Sequence, residues 1–259
     1  MTNKLVKSLA MRAVSMGLRL PEGQLDRISE LSHLRALLGD LGINCVLDVG
    51  ANRGQFATEL RAIGYTGHII SFEPVEREFV EASRRLAGDP KWKGYQIALG
   101  SEEMESKINV TQRSDLSSLL RLRDSGTVLH RQDVSVRRLD GILPALVEQI
   151  PSARIFLKMD TQGFDVEVFR GASGCIKSVL GLQSELSITP IYERMPHYIQ
   201  ALAEYEALGF ELYNISPVAR MFGKGLVEVN CFMKRSPSRP KAGMDKETAV
   251  YLKHLAAGL

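Results

Sequence analysis

Residues 46–56, VLDVGANRGQF, constrain the fold of this 259-residue chain more than any other stretch. An apolar run carries Asp48 and ends at Gly50; after a short polar turn, Gly54 opens a helical pattern. That order describes a buried strand turning directly into a helix. The pattern from Gln24 to about Leu41 is also helical, and beyond it short β-branched or apolar runs alternate with helical segments, the signature of a parallel sheet built from βαβ units. Strands are expected at Cys45–Val49, His68–Phe72, Gly94–Leu99, Ile155–Met159, Gly181–Leu186, Phe210–Ile215 and Leu226–Lys234. Helices are expected over Gly54–Ile63, Glu76–Leu86, Gly141–Glu148, Asp165–Ile176 and His197–Leu208. Only SPVARMFGKG separates the last two strands, so they should pair antiparallel as a hairpin.

Residues 100–140 depart from this rhythm. SKINVTQ, SDLSSLL and VSVRRLD read as extra β pieces inserted after the third strand, where a segment the sheet does not need can carry substrate contacts.

Composition sets the outer bounds. With 44% hydrophobic and 24% charged residues the chain can bury a sizeable core. A net charge of +3 is too small an excess to point to nucleic acid. The Asn/Asp-Pro-Pro-aromatic tetrapeptide that serves flipped bases is also absent. Three widely spaced cysteines, Cys45, Cys175 and Cys231, argue against a disulfide framework or a metal cluster and for a reducing compartment. No membrane-spanning run or secretory signal is read, so the expected location is cytoplasmic, with the inner face of the membrane left open.

Residues 1–20 place Lys4, Lys7, Arg12 and Arg19 among Leu5, Leu9, Val14, Met16 and Leu18. This pattern suits either a basic amphipathic helix in peripheral contact with a membrane or a helical cap on the domain. The expected organisation is an N-terminal helical segment over 1–41, a ligand-binding sheet domain over 42–235, and a linker (SPSRPKA) with a short helix near Met244–Leu255 over 236–259. A homodimer is left open.

The turn after the first strand lies where open α/β sheets bind nucleotide-like ligands. A dinucleotide fingerprint begun at Gly50 would require glycine at positions now held by Asn52 and Gln55, and no Gly-Lys-Ser/Thr follows for a phosphate loop. Glu73, in SFEP at the end of the second strand, follows Gly50 by 23 positions, where a carboxylate can accept two hydrogen bonds from a ribose diol. Together these features favour S-adenosylmethionine. Gly50 and Gly54 would admit the methionine part close to the backbone, and Asp48 would organise the loop and approach the ammonium end, with Asn52 sharing the turn.

The fourth strand runs into LKMDTQGFDVEVFRGA, residues 157–172. With VLDVGANRGQF, FEP, ALG at 98–100, SSL at 117–119, RLD at 138–140 and SEL at 184–186, the sequence resembles the FkbM family of S-adenosylmethionine-dependent methyltransferases. Gln162 stands where many members have glutamate, and Asp165 where glutamate is more usual. The resemblance implies a class I methyltransferase-like Rossmann sheet of about seven strands, mostly parallel, with a C-terminal antiparallel hairpin and the β insertion. It also implies O-methylation, often of a hydroxyl on a sugar or other natural product. The leading expectation is a glycolipid or polysaccharide acceptor; a soluble metabolite and a non-catalytic binding protein are the alternatives.

Asp160 is the expected base or metal ligand and Glu185 its partner, with Lys158 either in the catalytic set or a counter-ion to Asp160. Ser117 joins Asp48, Gly50, Asn52, Gly54 and Glu73 as a cofactor-side candidate. Participation of a divalent metal such as Mg, held by Asp160 and Glu185, is left open. His130 and His197 read as surface or packing residues, Tyr192 and Met195 as an acceptor lid or packing, and Trp92 as a core or loop anchor.

Overall fold

The computed structural model describes residues 22–123, 128–221 and 225–236; the basic N-terminal pattern of residues 1–20 and the helix near Met244–Leu255 lie outside them. Helix α1 (Glu22–Asp40) precedes strand β1 (Cys45–Val49), helix α2 (Gln55–Ala62), strand β2 (His68–Phe72) and helix α3 (Glu76–Leu86). Next come β3 (Trp92–Tyr95), β4 (Ala98–Leu99), β5 (Met104–Thr111) and β6 (Val128–Arg137). The second half runs α4 (Leu139–Val147), β7 (Ile155–Met159), α5 (Asp165–Gly171), β8 (Val179–Ser187), α6 (Tyr198–Ala207), β9 (Phe210–Met221) and β10 (Gly225–Arg235).

Seven strands form the main sheet in the order β3-β2-β1-β7-β8-β10-β9. The first five in that order pair parallel, and β10 lies antiparallel between β8 and β9. This is a class I methyltransferase-like α/β fold. Every residue of β1 and β7 is buried, as expected of central parallel strands covered on both faces. The chain steps outward from β1 through β2 to β3, then returns to build β7 and β8 on the other side. The carboxyl ends of β1 and β7 therefore open onto the crevice at which such sheets bind ligands.

The two sheet faces differ. One packs Leu47, Val49, Leu157 and Met159 against Val166, Phe169 and Tyr205. The other packs Val46, Ile69, Phe156 and Phe232 against Leu34, Leu37 and Leu38 of α1 and Phe56 and Leu60 of α2. With α1 burying these leucines on the sheet, residues 22–40 share the core of the sheet domain. Towards the strand ends that line the crevice, this second face turns polar: Asp48 follows Val46, Lys158 and Asp160 follow Phe156, and Asn230 and Glu228 neighbour Phe232.

Several boundaries differ from those read in the sequence. The expected third strand Gly94–Leu99 is two strands: β3 ends at Tyr95 in the main sheet, while β4 pairs parallel with β6 in a separate three-stranded sheet, β4-β6-β5. SKINVTQ and VSVRRLD do contribute β5 and β6, but SDLSSLL forms a 3-10 turn (Ser114–Leu116) and a loop touching Asn109 through one bridge at Ser118. The helix expected to reach Ile176 stops at Gly171, which passes so close to the Gly100 carbonyl oxygen that a Cβ would lie 1.9 Å from it; a separate 3-10 turn follows at Ile176–Ser178. The hairpin is longer than expected, since Ser216–Met221 continue β9. His197 caps α6, its Nδ1 accepting from the Ile199 amide at 3.3 Å.

Candidate functional site

The turn after β1 is held by a buried ion pair. Lys158 on β7, almost fully buried, places Nζ 2.9 Å from Asp48 Oδ1 and donates to the Gly50 carbonyl at 3.0 Å. Asp48 is fully buried, and its Oδ2 accepts from Ser71 Oγ at 3.2 Å, which in turn accepts from Trp92 Nε1 at 3.0 Å. Asp48 thus organises the glycine loop from beneath and does not line the crevice. Burial alone would lower the Lys158 pKa, but Asp48 and Asp160 outweigh it and hold the ammonium charged, well above the usual lysine range.

Gly50 has φ of 76°, and a Cβ there would stand 2.0 Å from the Asp160 carbonyl oxygen, so the loop passes β7 with no room for a side chain. Asn52 is also left-handed, with φ of 47°; its amide donates to Glu73 Oε2 at 2.7 Å, and its side chain meets Ser114 Oγ at 3.3 Å. Gly54, φ 76°, caps α2. Glu73 Oε1 accepts from the Val75 amide at 2.9 Å. Burial pushes the Glu73 carboxyl up to about 7, against the pull of these two amide bonds.

Beyond this loop a cavity of about 510 Å3 reaches from Gly50 and Glu73, past Ser117 in the inserted segment, to Asp160, Glu185, Glu228 and Asn230. That volume falls in the range of small-molecule sites. The sequence-derived residues Gly50, Asn52, Glu73, Ser117, Lys158, Asp160 and Glu185 all line it, whereas Asp48 and Gly54 lie behind the wall.

The ends of β7 and β8 converge through Gln162. Its Nε2 donates to Asp160 Oδ1 at 3.0 Å and to Glu185 Oε2 at 2.8 Å, and its Oε1 accepts from Tyr192 OH at 2.9 Å. Gln162 holds φ of 55°, fixed by Ser118 Oγ donating to its carbonyl at 2.8 Å. Such backbone strain is commonly stored at functional positions. Tyr192, buried, ties this point to the inserted segment by reaching the Leu116 carbonyl at 3.1 Å, and its own amide donates to Met195 Sδ at 3.4 Å.

Asp165 is structural: fully buried, it accepts from Thr161 N and Oγ1, Ser184 Oγ and the Glu185 amide at 2.6–3.0 Å. Burial raises the Glu185 carboxyl well above the usual carboxylate range, with Asp160, Glu228 and Asp165 adding repulsion. Among the described residues, no group of three or more His, Cys, Asp or Glu side chains is arranged to hold a metal ion. Asp160 and Glu185 share a hydrogen-bond donor, the Gln162 side-chain amide.

Polar lining residues that escaped the sequence reading include Arg27 on α1, Gln183 on β8, and Glu228 and Asn230 on β10. The alternation Val227, Glu228, Val229, Asn230 was the available signal for the last two. Arg27 carried none. His130 is exposed on β6, away from the cavity lining.

The family profile described as Methyltransferase FkbM domain matches residues 48–212, from the glycine loop to the start of the hairpin. The chain belongs to the FkbM methyltransferase family. As a family member it is an S-adenosylmethionine-dependent methyltransferase, and the glycine cradle at Gly50 and the carboxylate of Glu73 suit that cofactor. No curated protein matches the sequence. Solved structures similar to this FkbM chain include an uncharacterized protein from Listeria monocytogenes serotype 4b, at 9% identity and a TM-score of 0.47, covering 88% of this chain and 82% of that one. Magnesium protoporphyrin IX methyltransferase from Synechocystis with bound SAM is similar at 12% identity and a TM-score of 0.45, covering 83% and 82%. Aeropyrum pernix fibrillarin with natively bound S-adenosyl-L-methionine is similar at 10% identity and a TM-score of 0.40, covering 73% and 66%. These likenesses are too distant to assign an acceptor.

Proposed function

We propose that the protein transfers a methyl group from S-adenosylmethionine to a hydroxyl of a sugar, in a glycolipid or polysaccharide. The observation that carries this reading is the meeting of Asp160 and Glu185 at one strand edge of the cavity, next to the Gly50 loop. Gly50, Asn52, Glu73 and Ser117 would hold the cofactor, with Gly54 shaping the turn and Glu73 accepting from the ribose hydroxyls. The cofactor supplies the methyl on a sulfonium and leaves as a thioether.

Asp160, about one-third exposed and 3.6 Å from Lys158 Nζ, is the group positioned to accept the hydroxyl proton as the oxygen–methyl bond forms and the sulfur–methyl bond breaks. Glu185, half-buried beside it, orients the hydroxyl. Lys158 acts through others: it fixes Asp48 and the glycine loop and stands 3.6 Å from Asp160, and is a positioning residue. Much of the rate enhancement then comes from holding an alcohol in line with the sulfonium. Residues 42–235 form the methyltransferase domain in this reading, completed by α1 packed on its sheet, and the basic segment 1–20 brings the enzyme to a membrane-borne acceptor. Among the described residues, no helix is long and apolar enough to cross a membrane.

The test is transfer of labelled methyl from S-adenosylmethionine into host lysate, separated into glycolipid, polysaccharide, protein, nucleic-acid and small-molecule fractions, with and without EDTA. Label in the glycolipid or polysaccharide fraction is expected, and its loss with EDTA would make Asp160 and Glu185 metal ligands. Label confined to protein or nucleic acid would contradict the reading. Retained transfer to a membrane acceptor after deletion of residues 1–20 would contradict the delivery role.

A further inference from the structure

The glycine loop spends its own donors on its shape. The amides of Gly50 and Ala51 donate to the Phe72 carbonyl at 3.0 and 3.1 Å, that of Asn52 to Glu73, and that of Gly54 to the Ala51 carbonyl at 2.9 Å. Lys158 is committed to Asp48 and the Gly50 carbonyl. The loop can therefore lie against the cofactor, but these groups have little left to offer an anion. S-adenosylmethionine carries one, the carboxylate of its methionine end. Among the described residues six carboxylates and three cations line the cavity, so a ligand carboxylate is held where a cation stands.

The three cations are not equivalent. Lys158 is almost fully buried and already spent on the loop. Arg113 sits on the inserted segment, mostly exposed, and its fork is taken by both oxygens of Asp115. Arg27, on α1, is about one-third exposed and shares its stretch of wall with Gln55, Phe56 and Glu59 of α2, the helix into which the Gly50 loop runs. Glu59 holds its Nε and Nη2, and Glu30 its Nη1. Glu30 is itself buried and accepts from the Asn230 side-chain amide at 3.1 Å, so α1, α2 and β10 converge on one guanidinium. A guanidinium has five N–H donors. Three are used among the described residues, leaving Nη1 and Nη2 one each. Burial would lower the Arg27 pKa, but Glu59 and Glu30, joined by Asp160 on the cavity lining, outweigh it and keep the group charged. A fork anchored in this way is oriented before its ligand arrives, which reduces the cost of binding.

We propose that Arg27 receives the carboxylate of the cofactor's methionine end through its remaining Nη1 and Nη2 hydrogens, with Glu59 and Glu30 fixing its orientation. Helix α1 then belongs to the cofactor site as well as to the core. The inference rests on the cofactor and not on the acceptor.

The full-length protein is titrated calorimetrically with S-adenosylhomocysteine and with its decarboxylated analogue, which keeps the adenosine, the thioether and the amine. The parent is expected to bind S-adenosylhomocysteine at least about tenfold more tightly than the analogue, the scale of hydrogen bonds between charged groups. In Arg27→Gln that preference should fall below about threefold, with affinity for the analogue unchanged as the check on folding. Arg27→Lys, which keeps the charge but lacks the fork that Glu59 holds, should lie between the two. Equal binding of the two ligands by the parent, a preference that survives Arg27→Gln, or a fall of both ligands in step in both variants would overturn the inference. A preference lost in Arg113→Gln and kept in Arg27→Gln would overturn it as well, moving the contact to the inserted segment. Absence of label from the sugar fractions in the lysate experiment would leave this result unmoved, so the two failures are distinguishable.

Discussion

The cavity has two halves built on different principles. On the cofactor side, at the ends of β1 and β2, the polar groups are already matched: Lys158 spans Asp48 and Gly50, and Glu73 takes the amides of Asn52 and Val75. On the proposed acceptor side, at the ends of β8 and β10, Glu185 and Glu228 line the cavity, each accepting one side-chain hydrogen bond among the described residues. The first half is a preorganised cradle whose shape precedes its ligand, so its mutants should act on stability and cofactor affinity. The second is less tightly tied to the protein's own groups, so its mutants should act on turnover and acceptor choice.

The largest effect should come from Lys158→Met. It leaves Asp48 buried and uncompensated, which typically costs about 3–5 kcal/mol, read as a lower denaturation midpoint. A variant as stable as the parent would show that the ion pair does not hold the cofactor side together. Next, Glu185→Gln, on the acceptor side, should lower kcat by about 100-fold or more, the scale of a lost acid–base or orienting contact, with little change in stability. A large fall in S-adenosylhomocysteine affinity instead would erase the division between the halves.

Glu73→Ala should weaken S-adenosylhomocysteine binding by about 1–3 kcal/mol, measured by calorimetry; unchanged affinity would remove Glu73 from the cofactor contacts. The smallest effect is a pH dependence. Because the folded Glu73 carboxyl sits at about 7, above its ordinary 4.5, it stabilises the empty protein most below pH 4.5, and that contribution is lost as pH rises through about 7. Ribose hydroxyls donate best to the ionised form, so affinity should rise with pH up to about 7 and level off above it. In Glu73→Gln the profile should be flat, and a parent profile equally flat would contradict the assignment.

The same division governed what could be read from the chain itself. The cofactor side was legible because one contiguous segment, VLDVGANRGQF, encodes strand, turn and helix, and Glu73 lies one βα unit further on. Lys158, Asp160 and Glu185 were legible from alternation at strand ends. Glu228 and Asn230 were missed because their place at the cavity depends on β10 inserting between β8 and β9, an order that local periodicity does not encode. Arg27 was missed because α1 packs over the sheet by its leucines while a single arginine reaches round to the cavity. The break of the expected third strand at Gln96–Ile97 was hidden because WKGYQIAL has strand character throughout, and only the second sheet's demand for β4 divides it. In SDLSSLL, hydroxyls committed to local bonds, such as Ser117 Oγ accepting from the Thr111 amide at 3.2 Å, favour a turn over a strand.

The most direct test of the central claim pairs two readouts on one substitution, Asp160→Asn: calorimetric affinity for S-adenosylhomocysteine, and labelled methyl transfer into the glycolipid and polysaccharide fractions. The account predicts cofactor affinity close to that of the parent, with transfer reduced by about 100-fold or more. Normal transfer would contradict it, since among the described residues lining the cavity Asp160 is the carboxylate that stands beside both the Gly50 loop and Glu185.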